Sequence, residues 1–122
     1  MTFWNDLGGV PHRLDWCDAG GVSTRFLEAG SGERALLMLH GVNGHLEVFL
    51  RNVRAHADAG LRVIALDLLG HGYTGKPDHA YEIDHYLDHL RAFLDEMNIG
   101  RVSLAGTSLG GWISARFAAR HP

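Results

Sequence analysis

Three patterns of apolar and polar residues succeed one another along this chain, and each predicts a different element. Two short strand-like runs come first, from His12 to Asp18 and from Val22 to Glu28, separated by Ala19, Gly20 and Gly21, whose glycine pair signals a hairpin. The turn residues from Ala29 to Glu33 lead into Ala35, Leu36, Leu37, Met38 and Leu39, a continuous apolar run that reads as a central strand buried on both faces. Leu46, Phe49, Leu50, Val53 and Ala57 then fall at helical spacing, Gly60 stands as a C′ glycine, and Arg62 to Asp67 form a third apolar strand. From Gly70 to Pro77 the chain is too rich in turn formers for a regular element. Ile83, Leu87, Leu90, Leu94 and Met97 step by four and three, which predicts an amphipathic helix from Glu82 to Met97, ended by Asn98 and Gly100. A last strand begins at Arg101 and a last helix runs from Leu109 to about Arg120. Met1 to Pro11 show no period and read as an irregular arm.

A hairpin followed by strands that alternate with helices predicts an α/β fold: a mostly parallel sheet with an N-terminal antiparallel hairpin and flanking helices. In open sheets of this kind the chemistry gathers beyond the carboxyl ends of the strands. Three loops meet that description: His40 to His45, Asp67 to Lys76, and Gly106 to Gly110.

Composition narrows the classes. With 122 residues, 46% of them hydrophobic, the chain is one domain or a piece of one with a core to bury. No apolar run approaches the ~20 residues of a membrane-spanning helix, and Met1 to Gly9 lack the basic-then-apolar pattern of a signal peptide. The expectation is a cytoplasmic protein with no membrane partner. Cys17 is the single cysteine, so no disulfide framework or thiolate metal cluster is implied. A net charge of −3 offers no basic face to nucleic acid.

Candidate chemistry centres on Gly106-Thr107-Ser108-Leu109-Gly110, a G-x-S-x-G placed where a strand must turn sharply into a helix. A hydroxyl at the apex of such a turn is lifted away from its own backbone, which makes Ser108 the candidate nucleophile. The amide of Leu109, in the first turn of the helix, points toward charge developing on a substrate oxygen.

With its upstream motifs, the chain resembles the α/β-hydrolase family. Leu39, His40 and Gly41 are similar to the family's H-G turn, Asp67, Gly70, Gly72 and Thr74 to its D-x-x-G-x-G-x-S/T loop, and Gly106, Ser108 and Gly110 to its nucleophile elbow. The resemblance runs from about Val22 onward. It implies that the Val42 amide joins that of Leu109 in an oxyanion hole, with Asn43 the less favoured donor. It also implies that His40 braces its loop and that Asp67 anchors the turn from Gly70 to Thr74. The implied reaction is acyl transfer on a small-molecule ester or ketone-type substrate, without cofactor or metal, in the branch of esterases, C–C bond hydrolases and perhydrolases. Serine at position 108 speaks against the dehalogenase and epoxide-hydrolase branches, which the resemblance associates with aspartate there. A homo-oligomer is compatible with this reading.

In the family the triad acid and histidine follow the nucleophile. Here no Asp or Glu follows Ser108, and His121 stands at the far end of a helix, roughly 18 Å away at ~1.5 Å per residue. Residues 1–122 therefore read as the N-terminal half of one hydrolase core domain, with cap, acid and histidine elsewhere and the last strand left as an apolar edge. A non-catalytic small-molecule-binding protein of the same fold is the rival. Of the other candidates, His40 and His71 border the site. His85 and His89 share a helix face at a metal-ligand spacing but read as a solvated surface, and Trp112, Phe49 and Phe117 read as core.

Overall fold

A computed structural model describes residues 3–122. The expected irregular arm contains a 3-10 helix, Phe3–Leu7, which buries Leu7; Met1 and Thr2 lie outside the described residues. Five strands follow: β1 (His12–Ala19), β2 (Val22–Ala29), β3 (Ala35–Leu39), β4 (Arg62–Leu66) and β5 (Val102–Gly106). Three α-helices, α1 (Leu50–Asp58), α2 (Ile83–Glu96) and α3 (Leu109–Arg120), connect or follow them. The predicted helix from Leu46 divides into a 3-10 turn, Leu46–Phe49, and α1.

The strands form one sheet in the order β1-β2-β4-β3-β5. β3 pairs in parallel with both β4 and β5, whereas β1 with β2 and β2 with β4 are antiparallel. The sheet is thus mixed rather than mostly parallel. The hairpin is as expected, but β2 also returns antiparallel against β4, a pairing that no local pattern announces.

From β3 the chain crosses through α1 to β4 on one side, and from β4 it crosses back through α2 to β5 on the other. Because such crossovers keep one hand, reversing direction places α1 and α2 on opposite faces. Accordingly α1 packs with Leu27, Met38, Val63 and Ala65, while α2 and α3 pack with Phe26, Leu37, Leu39, Ile64 and Leu66. Alternate residues of β2, β3 and β4 feed the two cores, which is why β3 and β4 read as apolar runs. Phe26 meets Phe93 edge to face with ring centroids 5.7 Å apart, fixing α2 on its face.

This reversal is the topological switch that positions the site. Leu39 lies level with Leu66 on one side and with Gly106 on the other, so the loops after β3, β4 and β5 all start at the same height. A crevice beyond the carboxyl ends of β3 and β5 follows from that connectivity. β5 is the edge of the sheet among the described residues, and Ser103, Ala105 and Gly106 are exposed, as the sequence suggested for this strand. No helix among the described residues is long and apolar enough to cross a membrane.

Candidate active site

Ser108 caps the N-terminus of α3 with φ 53° and ψ −117°, a left-handed conformation that a side chain rarely adopts. The surroundings hold it there. The Thr107 N–H donates to the Leu39 carbonyl at 3.1 Å, tying the turn to the end of β3, and Gly110 N–H closes back on Thr107 O at 2.9 Å. The Trp112 N–H then takes the Ser108 carbonyl at 3.0 Å and starts the helix. Both motif glycines are required by space. A methyl on Gly106 would overlap the Gly110 carbonyl, and one on Gly110 would lie 2.6 Å from the His40 carbonyl oxygen. The result is an exposed serine side chain on a tightly packed turn, with Leu109 half-buried beside it.

The loop after β3 lies against this turn. A Cβ built on Gly41 would stand 3.3 Å from Ser108 Cβ and 3.9 Å from its Oγ, so the loop passes directly beside the hydroxyl. Gly44 N–H donates to Gly41 O at 3.0 Å, closing a tight turn in which Asn43 takes φ 61°. Val42 protrudes at the tip with 63% of its surface exposed.

His40 is fully buried and supports that loop from below. Leu68 N–H donates to its Nε2 at 2.9 Å. A backbone amide can only donate, so Nε2 is unprotonated, and the proton sits on Nδ1, which donates to Gly41 O at 2.8 Å. Burial, the dominant cause, and the neighbouring His71 lower its pKa, which keeps the ring neutral. Both nitrogens are engaged in bracing, and neither is free to serve as a base. The His71 ring is tilted 55° to that of His40, with centroids 5.2 Å apart, and places its Nδ1 2.9 Å from Leu69 O.

Asp67 is fully buried and holds two loops at once. Its Oδ1 accepts the Leu46 N–H at 2.8 Å, at the end of the loop after β3, and its Oδ2 accepts the Tyr73 N–H at 2.9 Å. Arg25 Nε donates to Oδ2 at 2.7 Å, and the same guanidinium forks onto Glu47. Gly72 leaves room for the carboxylate, since a Cβ there would stand 2.7 Å from Oδ1. Burial by itself would raise the Glu47 carboxyl, but the bonds from Arg25 outweigh it and hold the pKa below its ordinary value. Burial likewise disfavours the charge on Arg25, and its bonds to Asp67 and Glu47 restore and raise its pKa. Asp67 therefore does more than anchor the turn from Gly70 to Thr74.

Arg25 and Glu47 are the residues that sequence reasoning missed. The available signal was a charged residue between Thr24 and Phe26 in a strand bound for the sheet interior, where a charge requires a partner.

Other expectations need correction. His89 is not on a solvated surface. It is 6% exposed, and its Nε2 lies 2.8 Å from Thr24 Oγ1. His85 is half-buried and accepts the Glu82 N–H at 3.0 Å on its Nδ1, capping α2, so the pair has local structural duties. The described residues contain no cluster of three metal-ligating side chains. Phe117 is buried and Phe49 half-buried, as read, but Trp112 is 52% exposed because the apolar face of α3 turns Ile113 and Phe117 inward and leaves position 112 outside it. A groove of about 630 Å³ follows β5 between α2 and α3. It is lined by Gly106 and Gly111 but not by Ser108, so it marks the free strand edge rather than the site.

Comparison with known proteins agrees with this geometry. Residues 34–122 match the family model described as alpha/beta hydrolase fold. The chain is 46% identical over 96 residues to the 2-hydroxy-6-oxo-6-(2'-aminophenyl)hexa-2,4-dienoic acid hydrolase of Metapseudomonas resinovorans, covering 77% of this chain and 33% of that protein. It is 36% identical over 107 residues to the 2-hydroxymuconate semialdehyde hydrolase of Pseudomonas sp. (strain CF600), covering 85% of this chain and 38% of the other. The crystal structure of a serine hydrolase involved in carbazole degradation superposes with a TM-score of 0.82 at 39% identity, over 91% of this chain and 44% of that one. The chain spans about a third of the length of these curated relatives. The elbow at Ser108, the braced loop at His40 and the matched family model agree: this chain belongs to the α/β-hydrolase fold family.

Proposed function

We propose that this chain carries the nucleophile portion of a serine-dependent hydrolase that cleaves a carboxylic ester, or an activated C–C bond next to a carbonyl, through an acyl-enzyme. The observation that carries the reading is Ser108 itself, exposed and held at φ 53° between two glycines that no other residue could replace without overlap. Its Oγ attacks the carbonyl carbon while its proton passes to a base. The oxyanion is stabilised by the amides of Leu109 and Val42, and removal of one such donor in a hydrolase site typically slows turnover by about 10²–10³. Collapse expels the alcohol, or the carbon leaving group as its enol, with the proton returned by the base. Water then repeats the sequence to release the acid and free Ser108. The reaction calls for no metal or organic cofactor.

With His40 engaged on both nitrogens and no acid after Ser108, the base and its acid partner are proposed to lie in sequence following Pro122, in keeping with the longer relatives. The names of those relatives, hydrolases of a hexa-2,4-dienoic acid and of 2-hydroxymuconate semialdehyde, favour a substrate of that unsaturated oxo-acid type. The test is turnover of both substrate classes by the protein extended past Pro122, with and without Ser108→Ala. Loss of turnover and of the acyl-enzyme in the variant is expected. Unchanged turnover overturns the assignment, and binding without turnover in the parent favours a binding protein of the same fold.

A further inference from the structure

β1 is the other edge of the sheet, at the end opposite β5, so strands added beside β5 leave it untouched. It is eight residues long, contains no proline, and none of the described strands pairs with its outer side. Such an edge is a template for another strand. Its main-chain polarity can be read from one bond: the Trp16 N–H donates to the carboxylate of Asp15 at 2.8 Å instead of entering the ladder with β2. In a strand both main-chain groups of a residue point to one side and alternate along the chain. His12, Leu14, Trp16 and Asp18 therefore turn their N–H and C=O groups outward. On the same residues Leu14 is 39% and Trp16 49% exposed.

We propose that β1 pairs antiparallel with β1 of a second copy of this chain across a twofold axis at Leu14, joining the two sheets edge to edge. A symmetric antiparallel pair can place its axis on an outward-facing residue, where the facing pair is hydrogen-bonded, or on an inward-facing one, where the bonds pass to its neighbours, but an axis on Arg13 or Asp15 sets like charges opposite each other. An axis at Leu14 pairs Leu14 with its own copy and His12 with Trp16 of the second copy, giving about six main-chain hydrogen bonds. The same register sets Arg13 opposite Asp15 of the second copy, in the closely spaced non-hydrogen-bonded pairs where opposite charges attract. Within one chain, Arg13 and Asp15 already lie 3.2 Å apart on exposed side chains, so the strand carries both signs at the spacing its own copy needs. When Trp16 N–H passes to the carbonyl of His12 in the second copy, the Asp15 oxygen it leaves turns to Arg13 of that copy. An axis at Trp16 or His12 sets no such charges against each other.

The test is sedimentation equilibrium over a concentration series, with circular dichroism confirming the fold of each variant. The parent is expected to reach twice the monomer mass. Arg13→Asp and Asp15→Arg each oppose like charges and should weaken the dimer at least tenfold, whereas the double exchange R13D/D15R should restore it. In a Cys17→Ser background, Leu14→Cys should cross-link two chains on mild oxidation, because cysteines facing across the axis stand about 5.5 Å apart at Cα. Asp18→Cys, four residues from the axis, should not. A monomer at every concentration overturns the proposal, as does a dimer indifferent to Arg13→Asp, one that the charge exchange fails to restore, or one that cross-links through position 18.

Discussion

Acidification from pH 7 to pH 4 acts on this fold through a histidine inside it. His89 faces β2 from α2 and is 6% exposed, and burial lowers its pKa from 6.5 to about 4. The single hydroxyl hydrogen of Thr24 is directed to Val22 O at 2.9 Å, so the contact at 2.8 Å is made by His89 Nε2–H donating to Thr24, with the ring neutral. The unfolded chain takes up a proton on this group below about pH 6.5, whereas the folded chain resists until about pH 4. Between those values the unfolded state binds more protons, so stability falls as the pH falls, by about 1.4 kcal/mol per pH unit. Over the whole window the loss reaches about 3 kcal/mol, a large part of the 5–15 kcal/mol by which a domain is stable. His89→Gln keeps a donor for Thr24 and does not titrate. Urea unfolding of both proteins, followed by circular dichroism at pH 7, 6, 5 and 4.5, isolates the effect, because every other group titrates alike in the two. The parent should lose ground on the variant steadily below pH 6.5. Parallel stability curves would refute the burial argument.

Three further outcomes concern the support of the site. Asp67→Ala takes from the buried Arg25 one of its two carboxylate partners, leaving Glu47, and frees the Leu46 and Tyr73 amides, and should destabilise by about 3–5 kcal/mol, read from the urea midpoint. Gly106→Ala forces a methyl into the Gly110 carbonyl and should cost more than the ~1 kcal/mol typical of a substitution, with loss of the Ser108 turn visible in the amide spectrum of residues 106–112. His40→Phe leaves the Leu68 N–H without its acceptor and takes one of two donors from Gly41 O, which keeps the Gly44 N–H, at about 1–3 kcal/mol for the buried amide left unpaired. It should also slow any reaction at Ser108 that relies on the adjoining loop, measured as a labelling rate.

Much of this was legible because local chemistry and tertiary role coincide. The apolar runs of β3 and β4 are bounded by glycine, and the crossovers that join parallel strands need helices, so the alternation of strands and helices was legible, whereas the order in which the strands lie in the sheet was not. The elbow was legible since only glycine fits at positions 106 and 110. What escaped depends on partners distant in sequence. Arg25 meets Asp67 across 42 positions and His89 meets Thr24 across 65, and neither pairing leaves a period to read. Trp112 was misread because an aromatic residue next to a helical stripe looks like core until the helix is rotated onto its sheet.

The central claim is that Ser108 is the group acylated in the reaction. A fluorophosphonate probe tests it directly, applied to the protein extended past Pro122 and to its Ser108→Ala variant, with the modified peptide identified by mass spectrometry. The account predicts a single phosphonylated residue, Ser108, and no labelling of the variant. Labelling at another residue, or none on a protein shown to be folded, would contradict it.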